Sequence, residues 1–153
     1  MKDRGYYGVG VFTPKTEHNY WSLFRTAQIL DADFLFVIGP RFRMHPADVM
    51  GSYRHIPTYS YLDFKDFNSH RPFDCRLIGV ELQECACEVS RFVHPKRAIY
   101  LLGAEDNGLS KECLSHCQDV IRLHGERSMN VAVAGSIVLY DRYAKQVAKD
   151  GNP

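Results

Sequence analysis

No run of apolar residues in this 153-residue chain approaches the roughly 20 needed to cross a bilayer, so no membrane span is expected. Charge of one sign is also missing. Nineteen Lys and Arg against 18 Asp and Glu leave a net charge of +1, which argues for no partner by itself. The N-terminus, MKDRGYYGVGVF, lacks a long apolar region before a small-residue cleavage site, so no signal peptide is expected. Its glycines do not form GxGxxG, and no helix starts there, which removes a dinucleotide loop. The five cysteines are an odd number without a disulfide-framework pattern, and read as reduced thiols of a cytoplasmic protein. Cys85-Ala86-Cys87 and Cys113…Cys117, the latter beside His116, lack the paired spacing of a structural zinc site, so no metal is expected. They read as small buried or half-buried thiols. Repeats, low-complexity tracts and linkers are absent. What is there is ordinary for a globular protein: 45% hydrophobic and 24% charged residues, enough for one domain over 1–153.

The pattern alternates strands and helices. Gly5 to Phe12 is a Val- and aromatic-rich strand. Asn19 precedes a helix whose apolar residues Trp21, Leu23, Phe24, Ala27, Ile29 and Leu30 fit one buried face. Arg25 falls amid that stretch, near the start of the helix, where the dipole does not favour a cation. An anionic partner and simple solvation are equally good readings of it. Phe34 to Ile38 is a fully apolar central strand, parallel to the first by its βαβ spacing. Pro40 to Pro57 is polar, with Arg41, Arg43, Arg54 and His55 against a single acid, and a short helix is expected from Pro46 to Met50. Tyr53, Tyr59 and Tyr61 lie close by. Cations mixed with aromatics suit an RNA backbone with stackable bases; a solvated loop is the bland alternative. Tyr61 to Phe73 reads as a polar connector, and Arg76 to Glu81 as another strand. Five or six strands alternating with helices imply an α/β sheet, mostly parallel, with helices on both faces.

The last third organises the rest. Ala98 to Leu102 is a strand that stops at Gly103. Ser110 can cap the next helix. Asp119 to Leu123 is a second short strand, followed by Gly125. Met129 to Val147 reads as a helix, apolar or small on nearly every side from Asn130 to Tyr140, hence buried all round and partly against another subunit. Tyr140-Asp141 reads as structural, and the tail from Lys145 as frayed. Both strands end in glycine loops carrying polar residues, Glu105, Asp106 and Asn107 in one, Glu126, Arg127, Ser128 and Asn130 in the other. In an open α/β sheet, ligands bind beyond the carboxyl ends of strands.

Three blocks, in order, resemble the motifs of the SpoU/TrmH-type RNA methyltransferases of the SPOUT superfamily. They are Asn19-x5-Arg25-Thr26-Ala27; Leu102-Gly103-Ala104-Glu105-x2-Gly108-Leu109; and Ile121-Arg122-Leu123 with Ser128-Met129-Asn130-Val131 running on to Tyr140-Asp141. Gly51-Ser52…His55-Ile56-Pro57 is a weaker fourth echo. The resemblance implies a deep trefoil knot in the C-terminal part, S-adenosylmethionine held by the knot loops, and a homodimer with the active site at the subunit interface. It implies methyl transfer, most often to a ribose 2′-hydroxyl of tRNA or rRNA. Without an extra N-terminal RNA-binding domain, the chain is similar to the minimal single-domain tRNA 2′-O-methyltransferases.

Carried over by position, Arg25 is similar to the family's catalytic arginine and Asn19 helps form that site. Glu105 faces the active centre, and Ser128 and Asn130 match a polar pair. Gly103, Gly108, Ile121, Leu123 and Met129 would surround the adenosyl group, with Val80 or its neighbour closing the pocket. Asn130 also reads as an N-cap, and both roles are compatible. In the family Arg25 would be the base. Its guanidinium stays charged, so gripping a phosphate and steadying a developing alkoxide is an equal reading. Trp21 stands where the family usually has Gly, Leu123-His124 where it has Ile-Pro, and the loop before Ser128 is shorter by about three residues. The alternatives are methylation of a base nitrogen on the same fold, or a non-catalytic RNA-binding or assembly factor.

Overall fold

A computed structural model describes residues 4–39 and 55–151. Arg41, Arg43, Arg54 and the short helix expected over Pro46–Met50 lie outside the described residues. The described elements begin with strand β1 (Tyr6–Phe12), helix α1 (Glu17–Ile29), β2 (Phe34–Ile38), β3 (Thr58–Tyr61), α2 (Phe64–His70) and β4 (Arg76–Val80). There follow a two-residue β5 (Cys87–Glu88), a 3-10 turn at Val89–Arg91, β6 (Arg97–Leu102), α3 (Lys111–His116), β7 (Asp119–Arg122) and α4 (Val131–Lys149).

The strands form one sheet in the order β3-β2-β1-β6-β4-β7-β5, and every pairing is parallel. Parallel sheets need cover on both faces, and the sequence alternation supplies it. Val9, Val11, Leu35, Val37, Tyr100 and Leu102 pack with α1 and α4 on one face. Phe34, Phe36, Ile38, Leu77, Ile99 and Leu101 pack with α2 and α3 on the other. The α/β class with helices on both faces is the one expected.

The two interior glycines of β1 make room for aromatic rings. A Cβ on Gly8 would lie 2.3 Å from the Phe34 ring, and one on Gly10 would lie 2.4 Å from that of Phe36. Close packing, not phosphate binding, explains the GVG run.

Several local expectations are corrected. Helix α1 begins at Glu17, so Asn19 sits inside its first turn; Thr16 is the N-cap and its side chain makes no capping bond. The presumed connector after Tyr61 holds helix α2, started by the Asp63 carboxylate, which accepts from Asp66 N–H. Phe64 and Phe67 on that helix are buried, and their three-residue spacing was the overlooked signal. Cys85 and Cys87 are exposed rather than buried, whereas Cys75 and Cys113 are buried. Burial pushes the half-buried Cys117 thiol up to about 12.

Helix α4 is not buried all round in the single chain. Val133, Ile137 and Tyr140, spaced as one helical stripe, are exposed, Tyr140 by 61%. Nor does its tail fray at Lys145: the ammonium donates to the carbonyls of Val89 and Phe92 and pairs with Asp141. The His94 ring bridges Asp141 (2.8 Å) and the Tyr100 hydroxyl (2.6 Å), so Asp141 is indeed structural. Among the described residues, no helix is long and apolar enough to cross a membrane.

Candidate active site

Strands β4, β6 and β7 lie side by side and point the same way, so the loops that leave them converge. Between these loops and the start of α4 lies a cavity of about 300 Å³. Val80, Leu102, Leu123 and Met129 give it apolar walls. Gly103 to Gly108 form one rim and Arg127 to Met129 the other. This is the strand-end position where open α/β sheets bind ligands.

The loop after β6 is tight because its glycines permit it. Gly108 N–H donates to Ala104 O, and the two residues pair as an isolated bridge. Gly108 has φ +60°, and a Cβ there would strike the Glu81 carboxylate. A Cβ on Gly103 would lie 2.3 Å from the Gly108 backbone. Glu81 braces the loop: its carboxylate accepts from Leu109 N–H (2.7 Å) and Leu82 N–H (3.0 Å), and its own N–H donates to Ile121 O. Nothing in the sequence marks this contact, since Glu81 reads simply as the end of a strand.

Three polar residues meet beside the cavity. Asn130 caps α4, its Oδ1 accepting from Ala132 and Val133 N–H, while its Nδ2 donates to Asn19 Oδ1 at 2.9 Å. Asn19 Nδ2 in turn donates to Glu105 Oε1 at 2.8 Å. Residues 111 and 86 positions apart are thus tied into one line, and Asn130 caps α4 while bonding to Asn19. The other Glu105 oxygen, Oε2, is buried without a hydrogen-bond partner. Desolvation opposes ionisation of Glu105. Hydrogen bonds from Asn19, from the backbone of Glu105 and Lys15, and the nearby Lys15 charge outweigh it and hold the carboxyl below the usual range. Lys15 itself pairs with Asp106.

The expected site residues divide. Val80, Gly103, Glu105, Gly108, Leu123, Ser128 and Met129 line the cavity. Asn19 and Asn130 join it through Glu105. Ile121 does not line it: fully buried, it lies beneath and lends its carbonyl to Glu81. Arg25 is exposed on α1, outside the cavity lining, and holds no carboxylate partner among the described residues. Six residues after Asn19, it is turned about 240° round the helix from it. His55 is exposed, three residues before β3. His124, one of the departures from the family pattern, is exposed within 3.8 Å of Glu88, which also pairs with Arg122.

Comparison with known proteins bears on this architecture. The SpoU methyltransferase AviRb from Streptomyces viridochromogenes, solved in complex with AdoMet, superposes with a TM-score of 0.82 at 21% identity, over 95% of this chain and 62% of that one. A structure described as giving insight into the 2-OH methylation of C/U34 on tRNA matches at TM-score 0.80 and 22% identity, over 94% and 92%. The A. aeolicus TrmH/SpoU tRNA modifying enzyme matches at TM-score 0.79 and 21% identity, over 99% and 78%. The chain thus spans about three fifths of the length of AviRb. No curated protein matches by sequence. The model of the SpoU rRNA Methylase family matches residues 8–140, nearly the whole chain, and the protein belongs to that family.

Proposed function

We propose that this chain is an S-adenosylmethionine-dependent RNA 2′-O-methyltransferase of the cytoplasm, acting on tRNA or rRNA as a homodimer. The observation that carries the reading is the hydrogen-bonded line Asn130–Asn19–Glu105 beside a glycine-loop cavity, in a family of RNA methylases. AdoMet bound to AviRb and the tRNA 2-OH methylation of another relative support the cofactor and the acceptor.

The residues present fit the cofactor. Val80, Leu102, Leu123 and Met129 offer apolar walls for an adenine. Backbone amides of the two glycine loops suit its polar edges. Glu81, Glu105 and Asp106 line the cavity with Arg127, and Lys15 pairs with Asp106 behind it; the remaining excess of carboxylate suits a positively charged sulfonium. When bound, S-adenosylmethionine supplies an electrophilic methyl group. The chain's own task is to align the acceptor, and positioning can contribute roughly 7–11 kcal/mol in the best cases. Asn19 and Asn130 fix the Glu105 plane; Oε2 is closed to solvent in the free chain, so RNA must shift the loop before this oxygen accepts from a ribose hydroxyl. Its depressed pKa suits holding that proton in a hydrogen bond rather than retaining it, so the proton passes on to solvent or phosphate. Ser128 orients the sugar.

Arg25 faces away from its own subunit's cavity, and we assign it to the site of a partner subunit, where it grips RNA phosphate. The exposed stripe Val133, Ile137 and Tyr140, flanked by Ser22 and Thr26 of α1, supports a twofold contact on that side of the molecule. On this reading Ile137→Asp sediments as a folded monomer and loses methyl transfer. An Ile137→Asp dimer of unchanged sedimentation would place the contact elsewhere. The same reading takes the C-terminal third as a trefoil knot. Its support is that β7 lies between β4 and β5, so residues 81–86 join two strands that β7 separates.

The test is transfer from labelled S-adenosylmethionine to total small RNA, followed by nucleoside mass spectrometry, with Arg25→Ala alongside. A ribose-methylated nucleoside made only by the unmodified protein is expected. A methyl on a base nitrogen would move the assignment to that branch of the fold. Absence of both transfer and methyl-donor binding would make the chain a non-catalytic RNA-binding factor.

A further inference from the structure

The cavity leaves unexplained a row of aromatic side chains on the α2/α3 face, running from the start of β1 across β2 to β3, three strands to the side of β6. Tyr6 stacks on Phe34 with ring centroids 5.6 Å apart, and Phe34 meets the edge of Tyr59 at 6.3 Å. Tyr59 stacks on Tyr61 at 6.4 Å, and Tyr61 on His70 at 6.4 Å. Only Phe34 in this row is fully enclosed; Tyr59 is 48% exposed although it sits in a strand. The Arg97 guanidinium lies 5.0 Å over the Tyr6 ring and donates to Phe73 O. Phe73 is 92% exposed.

Among the described residues β3 ends the sheet, and an edge strand ordinarily avoids exposed aromatics, which invite aggregation. Helix α2 covers the far half of the row through Phe64 and Phe67 but leaves Tyr59 exposed and Tyr6 half-buried. Flat rings standing off a sheet, with an arginine plane beside them, are the chemistry that stacks unpaired bases and neutralises the linking phosphate. The phenol hydroxyls and the guanidinium give the patch hydrogen-bonding rims that a purely apolar protein contact would not use. Residues Tyr6 and Arg97 open their strands, whereas the cavity lies beyond Leu102. At about 3.3 Å per residue the two ends of β6 are roughly 17 Å apart, a few nucleotides of single strand.

Resting on the RNA-methyltransferase reading, we propose that Tyr6, Tyr59, Phe73 and Arg97 form a stacking platform for unpaired bases of the substrate RNA, remote from the methylated nucleotide. The probe is a fluorescein-labelled hexa-adenylate RNA, titrated by anisotropy. Tyr59→Leu keeps the bulk of the side chain, and Phe73→Ser alters a fully solvated position; each weakens binding about tenfold. Arg97→Gln weakens it and lowers the salt dependence by about one phosphate contact. Affinity for S-adenosylhomocysteine is the folding control for each variant. Equal hexa-adenylate affinity in Tyr59→Leu, Phe73→Ser and the unmodified protein would overturn the platform. So would a change in sedimentation without RNA, which would mark the face as a protein contact. The two readings fail separately. Active protein with variants equal to it removes the platform alone. Hexa-adenylate binding lost in the variants, with methyl transfer absent from the unmodified protein, keeps the platform and removes the enzyme.

Discussion

Asn19→Ala lowers kcat for methyl transfer about 100-fold while leaving the fold intact, because Asn19 is the middle link of the line beside the cavity. Removing its amide frees Glu105 Oε1 and Asn130 Nδ2 together. Loss of one preorganised polar group at a reacting centre costs roughly 10²–10³ in kcat. The fold is spared because Asn130 still caps α4 through Oδ1, and Asn19, half-buried in the first turn of α1, does not cap that helix. Single-turnover kinetics with circular dichroism as control checks this. A tenfold or smaller loss would show that Asn19 is a spectator.

The pH profile of the same variant is a sharper test. In the unmodified protein the Asn19 hydrogen bond helps hold Glu105 below the usual carboxylate range, against desolvation. Glu105 is therefore ionised at neutral pH, and activity is lost only as pH falls through that low pKa. Without Asn19 the largest cause that lowers the pKa is gone and desolvation remains, so the pKa rises. The acid limb of kcat against pH then moves upward in Asn19→Ala. Asn19→Asp moves it further, because a second carboxylate beside Glu105 disfavours its charge. An acid limb at the same pH in all three proteins would exclude Glu105 as the group that titrates.

Much of this site was legible in the sequence because its residues sit where local rules are strong. Gly103 and Gly108 mark the end of an apolar strand, Ser110 is the N-cap of α3 and accepts from Cys113 N–H, and Asn130 precedes an unbroken helical run. The parallel sheet followed from apolar strands separated by helices. What was not legible depends on long-range contact. The brace of Glu81 on Leu109 spans 28 residues and has no local pattern. Helix α2 hid inside a polar stretch because only two of its seven residues are buried. The orientation of Arg25 is a matter of helical phase, and starting α1 at Glu17 rather than after Asn19 changes which residue caps it. Helix α4 misled for a different reason. Its composition is apolar or small on nearly every side, yet Val133, Ile137 and Tyr140 are exposed in the single chain.

The buried Arg142 shows the same limit and carries the largest expected effect on stability. Only 4% exposed, it has no carboxylate partner among the described residues. Instead its guanidinium donates to the carbonyls of Pro95 (2.7 Å), Lys96 (3.2 Å) and Arg4 (3.4 Å), and to the Tyr100 hydroxyl (3.3 Å). It also lies 4.7 Å over the Tyr7 ring. One side chain thus ties α4 to the entry of β1 and β6, where Lys96 O also accepts from Tyr6 N–H and the Tyr100 hydroxyl also bonds His94. In Arg142→Met the apolar stem is kept, but the carbonyls of Pro95 and Arg4 lose this donor. Each unsatisfied buried acceptor costs about 1–3 kcal/mol, and water entering the vacated space recovers part of it. A loss of about 3 kcal/mol is expected, which lowers Tm by roughly 6–12 °C for a chain of this size. Arg142→Lys recovers less than half, since one ammonium cannot span carbonyls set around a planar fork. Scanning calorimetry of the three proteins reads this directly. Met and Lys variants as stable as the parent would mean that the helix is held by its apolar face alone, and that the guanidinium is merely accommodated.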